Sequence, residues 1–105
     1  MVIIETPIFT KLITELMSDD EYKNLQAALV SRPDRGTIIK NSGGLRKVRW
    51  ALEGRGKSSG VRVIYYWVTE YEQLYMVFAF PKSSQSNLTD AQTKKLSQIV
   101  EGWSK

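Results

Sequence analysis

The 105-residue chain contains no cysteine and no histidine. The first absence rules out disulfides, a thiol nucleophile and thiolate metal ligands together. The second removes the side chain that ordinarily titrates near neutral pH, so any acid–base chemistry falls to other groups. No apolar run approaches the length of a membrane span, and Met1–Glu5 lacks the charged start and long apolar centre of a signal peptide. A cytoplasmic protein is therefore expected. The acids are sparse and placed for structural reasons. Asp19, Asp20 and Glu21 fall at a helix start, and Glu70 and Glu72 at a turn. No pair of them has a spacing that argues for metal binding or glycosidic chemistry, so neither metal nor cofactor is expected.

What is present is ordinary in bulk and uneven in charge. With 42% apolar and 25% charged residues, and three Trp, five Tyr and three Phe as anchors, the chain suits one domain over residues 1–105 with a single modest core. From Lys40 to Arg62 seven residues are basic (Lys40, Arg46, Lys47, Arg49, Arg55, Lys57 and Arg62) against one acid, Glu53; the remainder has eight basic and ten acidic residues. The formal +4 is thus a local basic field on a slightly acidic body. Such a field points to an anionic partner, for instance a nucleic-acid backbone.

Patterning gives the order β-α-α-β-β-β-α, an α+β fold whose sheet of about four strands is mostly antiparallel. Val2 to Glu5 reads as a strand. Thr6 caps a first helix with Pro7 at its first position, and Ile8, Leu12, Ile13 and Leu16 form its apolar face. Ser18 and Glu21 form a capping box for a second helix with Tyr22, Leu25, Leu29 and Val30 as its stripe, ended by Arg32-Pro33. These two make an N-terminal hairpin of helices. Thr37 to Ile39 is a short segment between turns. Leu45 to Ala51 is a strand with Arg46, Val48 and Trp50 on one face and Leu45, Lys47 and Arg49 on the other. Val61 to Val68, apolar on both faces apart from Arg62, is a central strand. Gln73 to Phe80 is another, stopped by Pro81. Thr89 and Gln92 cap a C-terminal helix that buries Leu96, Ile99, Val100 and Trp103.

Two groups of residues carry candidate chemistry. The loop Gly54 to Gly60 has glycines, Arg55 and Lys57, but it fails both the P-loop and the dinucleotide fingerprint. It reads as a basic hairpin tip that can touch phosphates. Lys47, Arg49 and Arg62 are more informative. The first two share a face of one strand, and Arg62 lies across the hairpin within cross-strand reach. An unpaired cation cluster on a rigid sheet suits a bound phosphate better than it suits stability.

The stretches GGLRKVRW and GVRVIYYW, the G/K/S loop between them, an aromatic strand ending at a lysine, and an S-x-L-T-x-x-Q helix start resemble the HigB branch of the RelE toxin superfamily. The resemblance spans nearly the whole chain. It implies a RelE-like fold and a ribosome-dependent, metal-independent endoribonuclease that cuts mRNA in the ribosomal A site. The ribose 2′-hydroxyl would attack the scissile phosphate and leave a 2′,3′-cyclic phosphate. By position it places Lys47, Arg49, Arg62 and Lys82 in the catalytic set. Because Lys47 stands next to Arg46 and faces Arg49, a like-charged cluster that lowers a lysine's pKa, Lys47 is read as the base, with Arg49 and Arg62 as oxyanion stabilisers and Lys82 as candidate acid. Arg46, Arg55 and Lys57 are assigned to nucleic-acid binding. Pro81, Ser83 and Leu88 depart from the family pattern, which leaves the general acid and any stacking aromatic open. The implied partners are a HigA-like helix-turn-helix antitoxin, the ribosome and mRNA, with operator DNA reached only through the antitoxin complex. Two alternatives share these residues: a ParE-like inhibitor of DNA gyrase, and a non-catalytic module that binds RNA or a regulatory partner.

Overall fold

Each helix start is fixed by the cap its sequence encodes. The computed structural model describes residues 1–52 and 60–103, the side chain of Trp103 excepted. Thr6 accepts from the Phe9 amide and opens α1 (Pro7–Leu16) with Pro7 in its first turn. Ser18 and Glu21 close a reciprocal capping box on α2 (Asp19–Ser31), which ends at Arg32 as the following proline requires. Thr89 and Gln92 do the same for α3 (Asp90–Trp103), with bonds of 3.0 and 3.1 Å.

Among the described residues five strands form one sheet, where about four were expected, and the sheet is mostly antiparallel as expected. They are β1 (Val2–Glu5), β2 (Thr37–Ile38), β3 (Arg46–Trp50), β4 (Val61–Val68) and β5 (Gln73–Pro81), in the spatial order β1-β5-β4-β3-β2. The additional strand, β2, is two residues long, too short to show any alternation in sequence; it pairs antiparallel with Lys47 and Arg46. The other three pairings are antiparallel except β1 with β5, which runs parallel from Val2↔Gln73 to Glu5↔Met76. Pro81 is the last residue of β5 and stops the strand as expected, one position later than Phe80. It pairs with Val61, and the Lys82 amide then donates to the Gly60 carbonyl at 2.9 Å, carrying the ladder one step further. Proline is tolerated there because only its missing N–H is lost to the ladder, at the strand's end.

The helices cover both faces of the sheet. On one side Phe9, Ile13, Met17, Leu25 and Leu29 from α1 and α2 pack against Val48, Val61, Val63, Tyr65, Leu74, Met76 and Ala79. On the other, Leu96 and Val100 of α3 cover Leu45, Ile64, Val77 and Phe80. Both faces of β4 are therefore covered from Val61 to Tyr65, as its run, apolar apart from Arg62, predicts. Three expected core positions are exposed instead: Ile8 at 52%, Val30 at 42% and Ile99 at 38%. Phe9, fully buried, takes the place of Ile8. Residues four apart, Phe9, Ile13 and Met17, face the sheet; Ile13 was expected there, while Phe9 and Met17 lie one position later than the Ile8 and Leu16 of the stripe read from sequence. Glu5 accepts from Thr10 and from Tyr22, each at 2.6 Å, and so ties the end of β1 to both helices.

Candidate active site

Strand pairing brings the expected cations together. Arg49 and Arg62 are direct register partners on β3 and β4, and Lys47 pairs with Ile64, one step along the same face. Arg62 is only 8% exposed, and its Nε meets no hydrogen-bond partner. The described residues contain an ion pair between Arg32 and Asp34 (3.8 Å), both largely exposed, and none that neutralises Lys47, Arg49 or Arg62. A buried, incompletely bonded guanidinium is costly to hold, because the water it has lost is not fully replaced. The sheet holds it there because β4 is bounded by β3 and β5 and its backbone position is fixed from both sides.

Lys47 sits at the junction of two clefts. One, of about 460 Å³, is lined by Arg35, Thr37, Lys47, Val48 and Arg49. The other, of about 250 Å³, is lined by Thr37, Ile38, Ile39, Lys40, Lys47, Asn87 and Leu88. The Lys47 ammonium donates to the Asn87 side-chain oxygen. Partial burial holds the Lys47 amine below the usual lysine range, and the charges of Arg49 and then Arg62 lower it further. The sequence argument rested on the like charges; burial is the larger cause.

The wall between these clefts depends on one glycine. Gly36 is buried, and its amide donates to the Tyr65 hydroxyl at 2.8 Å while that hydroxyl donates to the Pro33 carbonyl at 2.6 Å. A Cβ on Gly36 would lie 2.8 Å from the Tyr65 ring and 3.0 Å from the Lys47 carbonyl. Only glycine lets the chain pass so close, and its neighbours Arg35 and Thr37 are placed in the cleft wall as a result.

Arg46 is not part of this cluster. It lies on the opposite face of β3, where its guanidinium donates to the Gly36 carbonyl at 2.8 Å and the Asp34 carbonyl at 3.3 Å, and stands 5.9 Å from the Trp67 ring centre. Its charge therefore braces the loop of residues 33–36. Lys82 is exposed, and its bond to Gly60 places it by alternation on the same face as Phe80 and Arg62. Arg55 and Lys57 lie outside the described residues. Sequence reasoning missed Arg35, whose guanidinium covers the Trp50 ring at 5.7 Å, and Lys40, Thr37 and Asn87. Lys40 had been noticed only as part of the basic run. Asn87 reaches Lys47 from 40 residues away, a separation that no local pattern reveals. Among the described residues no three His, Cys, Asp or Glu side chains cluster closely enough to hold a metal ion, and no helix is long and apolar enough to cross a membrane.

The structure of the E. coli toxin RelE, a double arginine-to-alanine mutant in the free state, superposes with a TM-score of 0.62 at 13% identity, covering 90% of this chain and 94% of that one. The family described as the RelE toxin of the RelE / RelB toxin-antitoxin system matches residues 1–105. The chain belongs to the RelE toxin family, and with it to the toxins that pair with an antitoxin.

Proposed function

We propose that the protein is a toxin of the HigB branch that cleaves mRNA in the ribosomal A site. The observation that carries this reading is the cationic face of the sheet, where Arg49 and the buried Arg62 are register partners and Lys47 stands one step along beside the cleft. Partial burial and these two charges also hold the Lys47 amine below its ordinary range. A lysine so placed is a better base at physiological pH than a free one. In the proposed reaction the 2′-hydroxyl gives its proton to Lys47 and its oxygen attacks phosphorus. The bond to the 5′-oxygen breaks, Lys82 supplies the proton to that leaving oxygen, and the products are a 2′,3′-cyclic phosphate and a 5′-hydroxyl. Arg49 and Arg62 face the negative charge that gathers on the phosphate; preorganised donors of this kind are worth about 3–4 kcal/mol in the transition state. Phosphoryl transfer needs positioning and charge more than covalent chemistry, so the lack of histidine is no obstacle. Arg46 supports the site through its loop contacts, while Arg55 and Lys57 supply charge for ribosomal RNA.

The antitoxin in this reading is a HigA-like helix-turn-helix protein, and operator DNA is contacted through the complex with it. The test is a cell-free translation reaction with the purified chain, mapping new mRNA 5′ ends, beside naked mRNA at equal salt. Cleavage within codons only when ribosomes translate supports the reading. Rapid cutting of naked RNA, or no cutting beside inhibited gyrase supercoiling, overturns it.

A further inference from the structure

The loop between β5 and α3 is bolted to the cap of α3. The Gln85 side-chain amide donates to the Asn87 backbone carbonyl and to the Gln92 side-chain oxygen, each at 2.8 Å. That same Gln92 oxygen accepts the Thr89 amide at 3.0 Å, and the Gln92 amide donates back to the Thr89 hydroxyl at 3.1 Å. Gln92 therefore closes the capping box and also holds the Gln85 side chain, which in turn grips the backbone of Asn87, two positions after it. Asn87 itself is exposed, yet its side-chain oxygen is turned to Lys47. An ammonium has only donors, so the oxygen rather than the nitrogen of the Asn87 amide must face it.

We propose that Asn87 is a positioning residue for Lys47, held by the Gln85–Gln92 bridge so that it aims the amine into the cleft beside Arg49. This rests on Lys47 acting as the base. In its neutral form the amine has two N–H donors and one lone pair. With one N–H held by Asn87, rotation about Cε–Nζ is restricted and the lone pair is left for the substrate hydroxyl. Among the described residues, Arg35, Lys40, Arg49 and Arg62 are the other charged groups lining this cleft or acting on Lys47, from the β2 approach, the β2–β3 turn, β3 and β4. All are cations, so Asn87 offers Lys47 an acceptor within a repelling surround.

The test uses the full chain with isotope-labelled lysine, comparing the parent with Asn87→Ala and Asn87→Asp. The NMR titration of the Lys47 side chain is read without ribosomes, and the single-turnover cleavage rate against pH at saturating ribosomes. Losing the acceptor favours the neutral amine, so Asn87→Ala should move the Lys47 midpoint down; a carboxylate favours the cation, so Asn87→Asp should move it up. The cleavage inflection should follow in the same opposite directions. The plateau rate of Asn87→Ala should fall roughly tenfold to a hundredfold, the scale expected when a reacting group is no longer aimed. A Lys47 midpoint unmoved in both variants overturns the proposed contact. Midpoints that move as expected while the cleavage inflection stays fixed keep the contact but refute Lys47 as the base. A plateau unchanged in Asn87→Ala, with midpoints moving, refutes the aiming role.

Discussion

Replacing Arg62 with methionine keeps most of the side chain's length while removing its charge and its donors. The residue is 92% buried, its Nε has no partner, and its register neighbours are Arg49 and Phe80. A buried donor left unsatisfied costs about 1–3 kcal/mol. The substitution removes that cost, relieves the repulsion from Arg49 and lays an apolar chain against Phe80, so all three effects have the same sign. A gain of about 1–3 kcal/mol is expected, which for a domain of this size raises the melting temperature by about 5–15 °C. Growth inhibition should be lost in the same variant, because the residue is kept for charge rather than for packing. Thermal and urea unfolding followed by circular dichroism measure the first effect, and induced expression without antitoxin the second. A melting temperature that is unchanged or lower would refute the reasoning, since it would make Arg62 a structural residue. Arg62→Lys separates charge from shape: it should keep little activity, because the ammonium lacks the planar fork.

Three further outcomes are expected. Tyr65→Phe removes the hydroxyl that bridges the Gly36 amide and the Pro33 carbonyl; urea denaturation should show a loss of about 1–3 kcal/mol, because the buried Gly36 amide is left unsatisfied. Because the folded-state pKa of Lys47 lies below the ordinary value of 10.5, the unfolded chain binds more protons between those two values, and stability rises with pH across that window. Lys47→Met should flatten this rise in pH-dependent melts. Replacing Arg55 and Lys57 with Gln should weaken ribosome binding and make its log–log salt dependence shallower by about one to two units, with the saturating rate within several-fold of the parent.

Much of this molecule is legible from local chemistry. Three helix starts follow from Thr6, Ser18/Glu21 and Thr89/Gln92, because a cap is a contact between near neighbours. The alternation from Leu45 to Trp50 correctly separates Arg46 from Lys47 and Arg49, and Arg62 stands out as a cation in an apolar run. What sequence hides is separation and phase. β1 could not be assigned to β5 because nothing near either names the other. Phe9 and Ile8 differ by one position, about 100° around a helix, and both are apolar. Arg46 looks like its basic neighbours by composition, and only the turn at Gly36 shows that its charge is spent on backbone carbonyls. Asn87 is a polar loop residue like many others until the fold sets it beside Lys47.

The parallel pairing of β1 with β5 also orders events during synthesis. The Thr6 hydroxyl finds the Val77 carbonyl 71 residues later in the chain. At translation speeds of about 5–20 residues per second, β1 waits on the order of several seconds for its partner to be made. Until then α1 and α2 have half a sheet to pack on, and β4 lacks the neighbour that fixes Arg62 from one side. The ribosome that makes this protein therefore carries it without a finished cradle for most of its synthesis. Competence comes late and all together, when β5 slots between two strands already made.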